Sequence, residues 1–137
     1  MKLVLIDTNI LIYALEKSSV FHKKSVDILT SKKYKHYIST KNIAELFAVC
    51  LKKEIHKEKI ISYLHDTILN TCILIYPNKQ SFYQFINLMS KYNVKGNRVY
   101  DIEIVSIMLA NGIDTIATFN NKDFININEI QILKECL

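Results

Sequence analysis

A chain of 137 residues, half of them hydrophobic and 23% charged, has the length of a single domain and the composition of a folded protein, which excludes a disordered segment. With 18 Lys and Arg against 13 Asp and Glu, the net charge of +5 favours a polyanionic partner. No apolar run approaches the ~20 residues of a membrane span, so residues 1–137 are expected to fold as one domain with no membrane partner. The chain enters a strand at once, without signal-peptide regions, and is expected in the cytoplasm.

Residues 2–9, Lys-Leu-Val-Leu-Ile-Asp-Thr-Asn, open the chain. Leu3 to Ile6 lack polar alternation, the habit of a strand buried on both faces in a parallel sheet. Asp7 then sits at the strand's carboxyl end, where open α/β sheets bind their ligands. A short helix over Ile10 to Leu15 follows. Val20 to Ser31 reads as a polar-faced helix with Phe21, Val26 and Leu29 inward, and His36 to Ser39 as the second strand. Ser39 or Thr40 can cap the next helix, whose apolar stripe is Ile43, Leu46, Phe47, Cys50 and Leu51. Glu45 points away from that stripe between the small residues Ala44 and Ala48.

Glu58 to Leu69 is a further amphipathic helix, and Cys72 to Tyr76 a third strand closed by Pro77. Ser81 to Tyr92 carries Phe82, Phe85, Ile86, Met89 and Tyr92 on one face, a core-packing stripe. After a turn over Lys95 to Arg98, the most apolar helix is predicted over Ile102 to Asn111, with Asp101 in its first turn and Gly112 as its left-handed cap. Ile113 to Thr118 is the fourth strand, Phe119 to Phe124 a polar loop, and Ile130 to Leu133 a short edge strand. Strands alternating with helices predict an α/β fold, a three-layer α/β/α sandwich on a parallel sheet.

Cys50, Cys72 and Cys136 have no metal-ligand spacing and read as packing residues, and His22, His36, His56 and His65 are equally scattered, which argues against zinc. Four acids instead stand where a parallel sheet gathers its loops: Asp7, Glu45, Asp101 and Asp123. Carboxylates brought together repel and raise one another's pKa values, so such a cluster is suited to a hard cation, Mg2+ or Mn2+. A cation of that kind polarises phosphoryl oxygens and activates water, which removes the need for a serine, cysteine or histidine nucleophile.

Leu5-Ile-Asp-Thr-Asn9, Ile43-Ala-Glu-Leu46, Tyr100-Asp101 before an apolar helix, and Ala117-Thr-Phe-Asn-Asn-Lys-Asp-Phe124 together resemble the PIN-domain nucleases. In that family the short form is similar to the VapC-type ribonuclease toxins of toxin–antitoxin pairs. The resemblance spans the whole chain and implies a five-stranded parallel sheet, an Mg2+- or Mn2+-dependent endoribonuclease leaving a 3′-hydroxyl and a 5′-phosphate, a homodimer, and an antitoxin whose tail occupies the acidic groove. Carried over by position, Asp7, Glu45, Asp101 and Asp123 are the catalytic and metal-site acids. Thr8, Asn9 and Thr118 match polar positions that orient carboxylates or phosphate, and Asn120, where some relatives place their last acid, joins them.

Each acid also has a plainer reading. Asp7 is a cap for the turn after its strand, Asp101 a first-turn acid favoured by the helix dipole, Glu45 a surface partner of Lys41, and Asp123 an Asx-turn residue. Glu103, two residues past Asp101, is expected to face away from it. A non-catalytic PIN-like module that binds an antitoxin or RNA as a dimer is the alternative function. A phosphoacceptor domain of receiver or haloacid-dehalogenase type lacks its additional acids here.

Overall fold

The computed structural model describes residues 1–137. Five parallel strands lie in the order β3-β2-β1-β4-β5, formed by β1 (Lys2–Ile6), β2 (Tyr34–Ser39), β3 (Ile73–Ile75), β4 (Thr115–Ala117) and β5 (Gln131–Ile132). β1 is the central strand, and Val4, Leu5 and Ile6 are completely buried, which is why the sequence shows no alternation there. Val4 and Ile6 point into one core and Leu5 into the other.

The first core is covered by α1 (Thr8–Leu15), α2 (His22–Thr30), α3 (Thr40–Lys52) and α4 (Lys57–Tyr63), with Ile10, Leu29, Leu46 and Ile60 among its members. A π-helical turn over Leu64–Ile68 and the short α5 (Leu69–Thr71) replace the continuous helix expected to Leu69. The wider turn lets Ile60 and Ile68 reach the same core. The second core is covered by α6 (Lys79–Lys91) and α7 (Arg98–Ala110), which pack on each other and on Leu5, Ile113 and Ile116.

Three expectations are corrected. Phe21 precedes α2 and is partly exposed, while Ser25, Ile28 and Leu29 form that helix's buried face. α7 begins at Arg98, a turn earlier than expected, because Gly96 takes a left-handed φ of 58° that releases the chain directly into helix. On α6, Phe85, Met89 and Tyr92 of the stripe read as core do pack on the second core, with Leu88 and Ser81 buried, but Phe82 and Ile86 are exposed. The three cysteines are free and buried as packing residues, and buried His36 is satisfied by a 2.7 Å bond to the Ile28 carbonyl. No helix is long and apolar enough to cross a membrane.

Candidate active site

The sheet order reverses at β1, since β2 and β3 lie to one side and β4 and β5 to the other. At that switch point the loops after β1 and β4 separate, and α/β sheets bind ligands in the crevice so formed. Asp7 stands there, its amide donating to the Ala117 carbonyl at 3.0 Å and its carboxylate capping α1.

The Asp7 carboxylate, only 7% exposed, is surrounded by donors. Oδ1 accepts from the Thr8 amide at 2.8 Å, and Oδ2 accepts from Thr118 Oγ1 at 2.8 Å and Asn9 Nδ2 at 3.0 Å. Asn9 is itself fixed at both ends: its Nδ2 donates to Thr118 Oγ1 at 3.1 Å and its Oδ1 accepts from the Phe119 amide at 3.0 Å. The Asn120 amide donates to Thr118 Oγ1 at 3.0 Å, which ties the loop after β4 to the same hydroxyl.

Asp7, Glu45 and Asp101 line one cavity of about 240 Å³, with Asn42, Tyr100 and Asn120 also in its wall. Glu45 is exposed on α3 and Asp101 half-buried in the first turn of α7. Burial pushes Asp7 from 3.8 to about 6, and the Glu45 charge adds to the shift against the hydrogen bonds that oppose it. Asp101 is also raised to about 6, first by burial, then by the charges of Asp123 and Asp7, with Arg98 opposing. Asp123 is outside the cavity wall, but its charge reaches Asp101, and Arg98 Nη2 holds its carbonyl at 2.7 Å.

Over residues 4–130 the sequence matches the family described as PIN domain. The chain belongs to the PIN domain family. Among solved structures, the PIN fold here is similar to a chain of VapBC2 from Rickettsia felis bound to a promoter DNA fragment, at 26% identity and TM-score 0.71, covering 96% of this chain and 97% of that one. It is also similar to a chain of DNA-bound VapBC from Salmonella typhimurium, at 20% identity and TM-score 0.71 over 99% and 100% of the two chains. VapC20 from Mycobacterium tuberculosis, a Sarcin-Ricin loop cleaving toxin, shares the fold at 12% identity and TM-score 0.67 over 82% and 86%. No curated protein matches the chain.

The donor set of this PIN domain fits a hard divalent cation. Two carboxylates carry raised pKa values, chiefly because burial penalises their charged forms and secondly because of neighbouring acids, and no cationic side chain hydrogen-bonds to the Asp7 carboxylate. No three acidic, histidine or cysteine side chains form a ready cage. Mg2+ does not require one, since it commonly keeps several waters and takes only one or two carboxylates from the protein.

The PIN fold brings Asp7, Glu45, Asp101 and Asn120 to one cavity, with Thr8, Asn9 and Thr118 behind Asp7, and leaves Asp123 one step removed. Two wall residues escape the sequence reading. Glu103 lines the same cavity rather than facing away, and it, not Glu45, pairs with Lys41 at 3.3 Å. Asn42 is buried, its Oδ1 accepts from Ser39 Oγ at 2.7 Å, and its Nδ2 donates to Thr8 Oγ1 at 3.2 Å and reaches Asp7 Oδ1 at 3.4 Å. Ser39 Oγ is within 3.2 Å of the Asn42 amide, so the Ser39-x-x-Asn42 capping box was the signal for that residue.

Proposed function

We propose that this chain is a single-domain, metal-dependent endoribonuclease of residues 1–137, the toxin of a toxin–antitoxin pair, acting in the cytoplasm. The observation that carries the reading is the pair Asp7 and Asp101, which share one cavity at the switch point and are both shifted to about 6 by burial and neighbouring charge. A carboxylate pair of this kind is destabilised alone and relieved by a cation. The Rickettsia felis neighbour belongs to a VapBC complex and VapC20 cleaves the Sarcin-Ricin loop, which supports an antitoxin partner and an RNA substrate.

Asp7 and Asp101 would hold Mg2+ or Mn2+, with Glu45 and Asp123 completing the site or bonding its waters. The ion, when bound, lowers the pKa of water and neutralises charge developing on a phosphodiester. Asn9 and Thr118 on Oδ2 and the Thr8 amide on Oδ1 fix the plane of the Asp7 carboxylate at the cavity. Thr8 and Asn42 hold the first turns of α1 and α3 together through a 3.3 Å bond from Thr8 Oγ1 to the Asn42 carbonyl. That contact sets the distance between Asp7 and the helix bearing Glu45. From the loop after β4, Asn120 lines the cavity.

The homodimer would form through the outer face of α6 and α7. Phe82, Tyr83 and Ile86 of α6 and Tyr100 of α7 are exposed and uncharged, as is Tyr76 in the segment before α6. Two copies carrying +5 each repel, so an aromatic face with few charges is the surface best suited to meet its own copy.

The test is cleavage of RNA by purified protein in Mn2+ or in chelator, comparing wild type with Asp101→Asn. Discrete fragments that need both the metal and Asp101 are expected. A second reading is a non-catalytic PIN-like module that binds an antitoxin or RNA. It would take precedence if wild type and Asp101→Asn left RNA equally intact.

A further inference from the structure

The cavity lined by Asp7, Glu45 and Asp101 has one cation in its wall, Lys41. Lys41 is the second residue of α3, whose first turn contains no acid. A cation at the positive end of a helix is opposed by the helix dipole, so local helix stability does not explain a lysine there. Its stem is half-exposed, and its ammonium meets Glu103 Oε2 of α7 at 3.3 Å, with the two side chains 46% and 32% exposed. Ion pairs this open contribute little to stability and exchange partners readily.

The surroundings of Lys41 are otherwise anionic, since Asp7, Glu45, Asp101 and Glu103 share the cavity. A phosphodiester approaching those carboxylates is repelled even when a cation offsets part of their charge. A lysine at the rim is the point charge that phosphate recognition uses, mobile enough to follow an oxygen into place. Arg98 is not in that wall, and its Nη2 donates to the Asp123 carbonyl at 2.7 Å.

We propose that Lys41 is a substrate-binding residue whose ammonium leaves Glu103 to hold a non-bridging oxygen of an RNA backbone phosphate at the cavity, and that Glu103 is its resting partner when no RNA is bound. The inference rests on the nuclease reading and adds a residue and a ligand atom to it. Glu103 thereby competes with RNA for Lys41, which gives the two residues opposite mutational signs.

The experiment is binding of a labelled single-stranded RNA to the full-length protein in chelator, by fluorescence anisotropy at several KCl concentrations, followed by steady-state cleavage in Mn2+. Lys41→Ala should weaken binding about 5- to 10-fold and reduce the slope of log Kd against log salt by about 0.7, the loss of one phosphate contact on a single strand. It should raise KM more than it lowers kcat. Lys41→Arg should restore most of the affinity, and Glu103→Gln should bind RNA more tightly than wild type. If wild type binds and cleaves RNA while Lys41→Ala matches it in affinity and slope, this assignment is wrong and the nuclease reading stands. Equal weakening by Lys41→Ala and Glu103→Gln would show that the pair is structural, which also overturns it. A wild type that neither binds nor cleaves RNA would remove the nuclease reading and this inference together.

Discussion

Asp7 is a buried carboxylate with a raised pKa and the most hydrogen bonds offered to one carboxylate. Its pKa rises from 3.8 to about 6, so the folded state binds that proton more tightly than the unfolded state. The penalty is therefore absent below 3.8, grows as pH rises through that interval, and is complete above about 6. At one unit per 1.36 kcal/mol it approaches about 2 to 3 kcal/mol. In chelator, Asp7→Asn should melt higher than wild type at neutral pH and converge with it as pH falls towards 4, and added Mn2+ should raise the wild type alone. Thermal melts of both proteins across that range give the comparison, and parallel curves at all pH values would count against the raised pKa. Thr118→Val keeps the shape of the side chain but removes the hydroxyl that donates to Asp7 Oδ2, and should weaken Mn2+ binding about 10- to 100-fold, measured by calorimetry. Asp7 was legible in the sequence because it interrupts an apolar run at a strand end, and Glu45, Asp101 and Asp123 because they fall in ordered motifs after it. Glu103 was not, because a polar residue in a helix gives no sign of which neighbour it will meet, and Asn42 could be read only as the capping-box partner of Ser39, not as a wall of the cavity.

The elements that build the site do so through their first turns. α1 starts on the Asp7 cap, α3 on the Ser39 capping box, and α7 places Asp101 in its opening turn. Ser39→Ala removes the side-chain acceptor of the Asn42 amide and should cost about 1 kcal/mol in urea unfolding. Because Asn42 also bonds to Thr8 and approaches Asp7, the same variant should lose Mn2+ affinity even under conditions where it is fully folded. Retained affinity would show that the cap serves the helix alone. β1 was readable from its unbroken apolar run, and β2 and β4 from shorter ones. Helix limits were harder, since with only two glycines and one proline the chain has little punctuation. The π turn after α4 was illegible because its consequence, re-phasing Ile68 onto the core, depends on tertiary packing and not on local sequence.

Hydrophobic periodicity shows which side of α6 is apolar, but not whether anything covers it, and this is why the outer residues of that stripe were misread as core. With Phe82 58%, Tyr83 55% and Tyr100 64% exposed, the molecule presents an aromatic surface beside its acidic cavity. Tyr100 and Glu103 wall both that cavity and an apolar one of about 330 Å³ lined by Phe82, Phe85 and Val99. Five half-exposed side chains amount to roughly 500 Å² per copy, below the ~800 Å² of a standard interface, so flanking surface must contribute as well. Tyr83→Glu places two like charges across a two-fold contact and should convert the dimer to monomer in sedimentation equilibrium. A wild-type monomer, or a dimer indifferent to this change, would exclude the face.

The joining of Asp7 and Asp101 into one cation site underlies the proposed chemistry, the pH dependence and the role given to Thr118. Water-proton relaxation in a Mn2+ titration reads that site without RNA or turnover. Saturable binding to wild type, lost in both Asp7→Asn and Asp101→Asn while the folded protein is retained, is the expected result. Equal binding by all three proteins would contradict it, because the two carboxylates would then hold nothing in common.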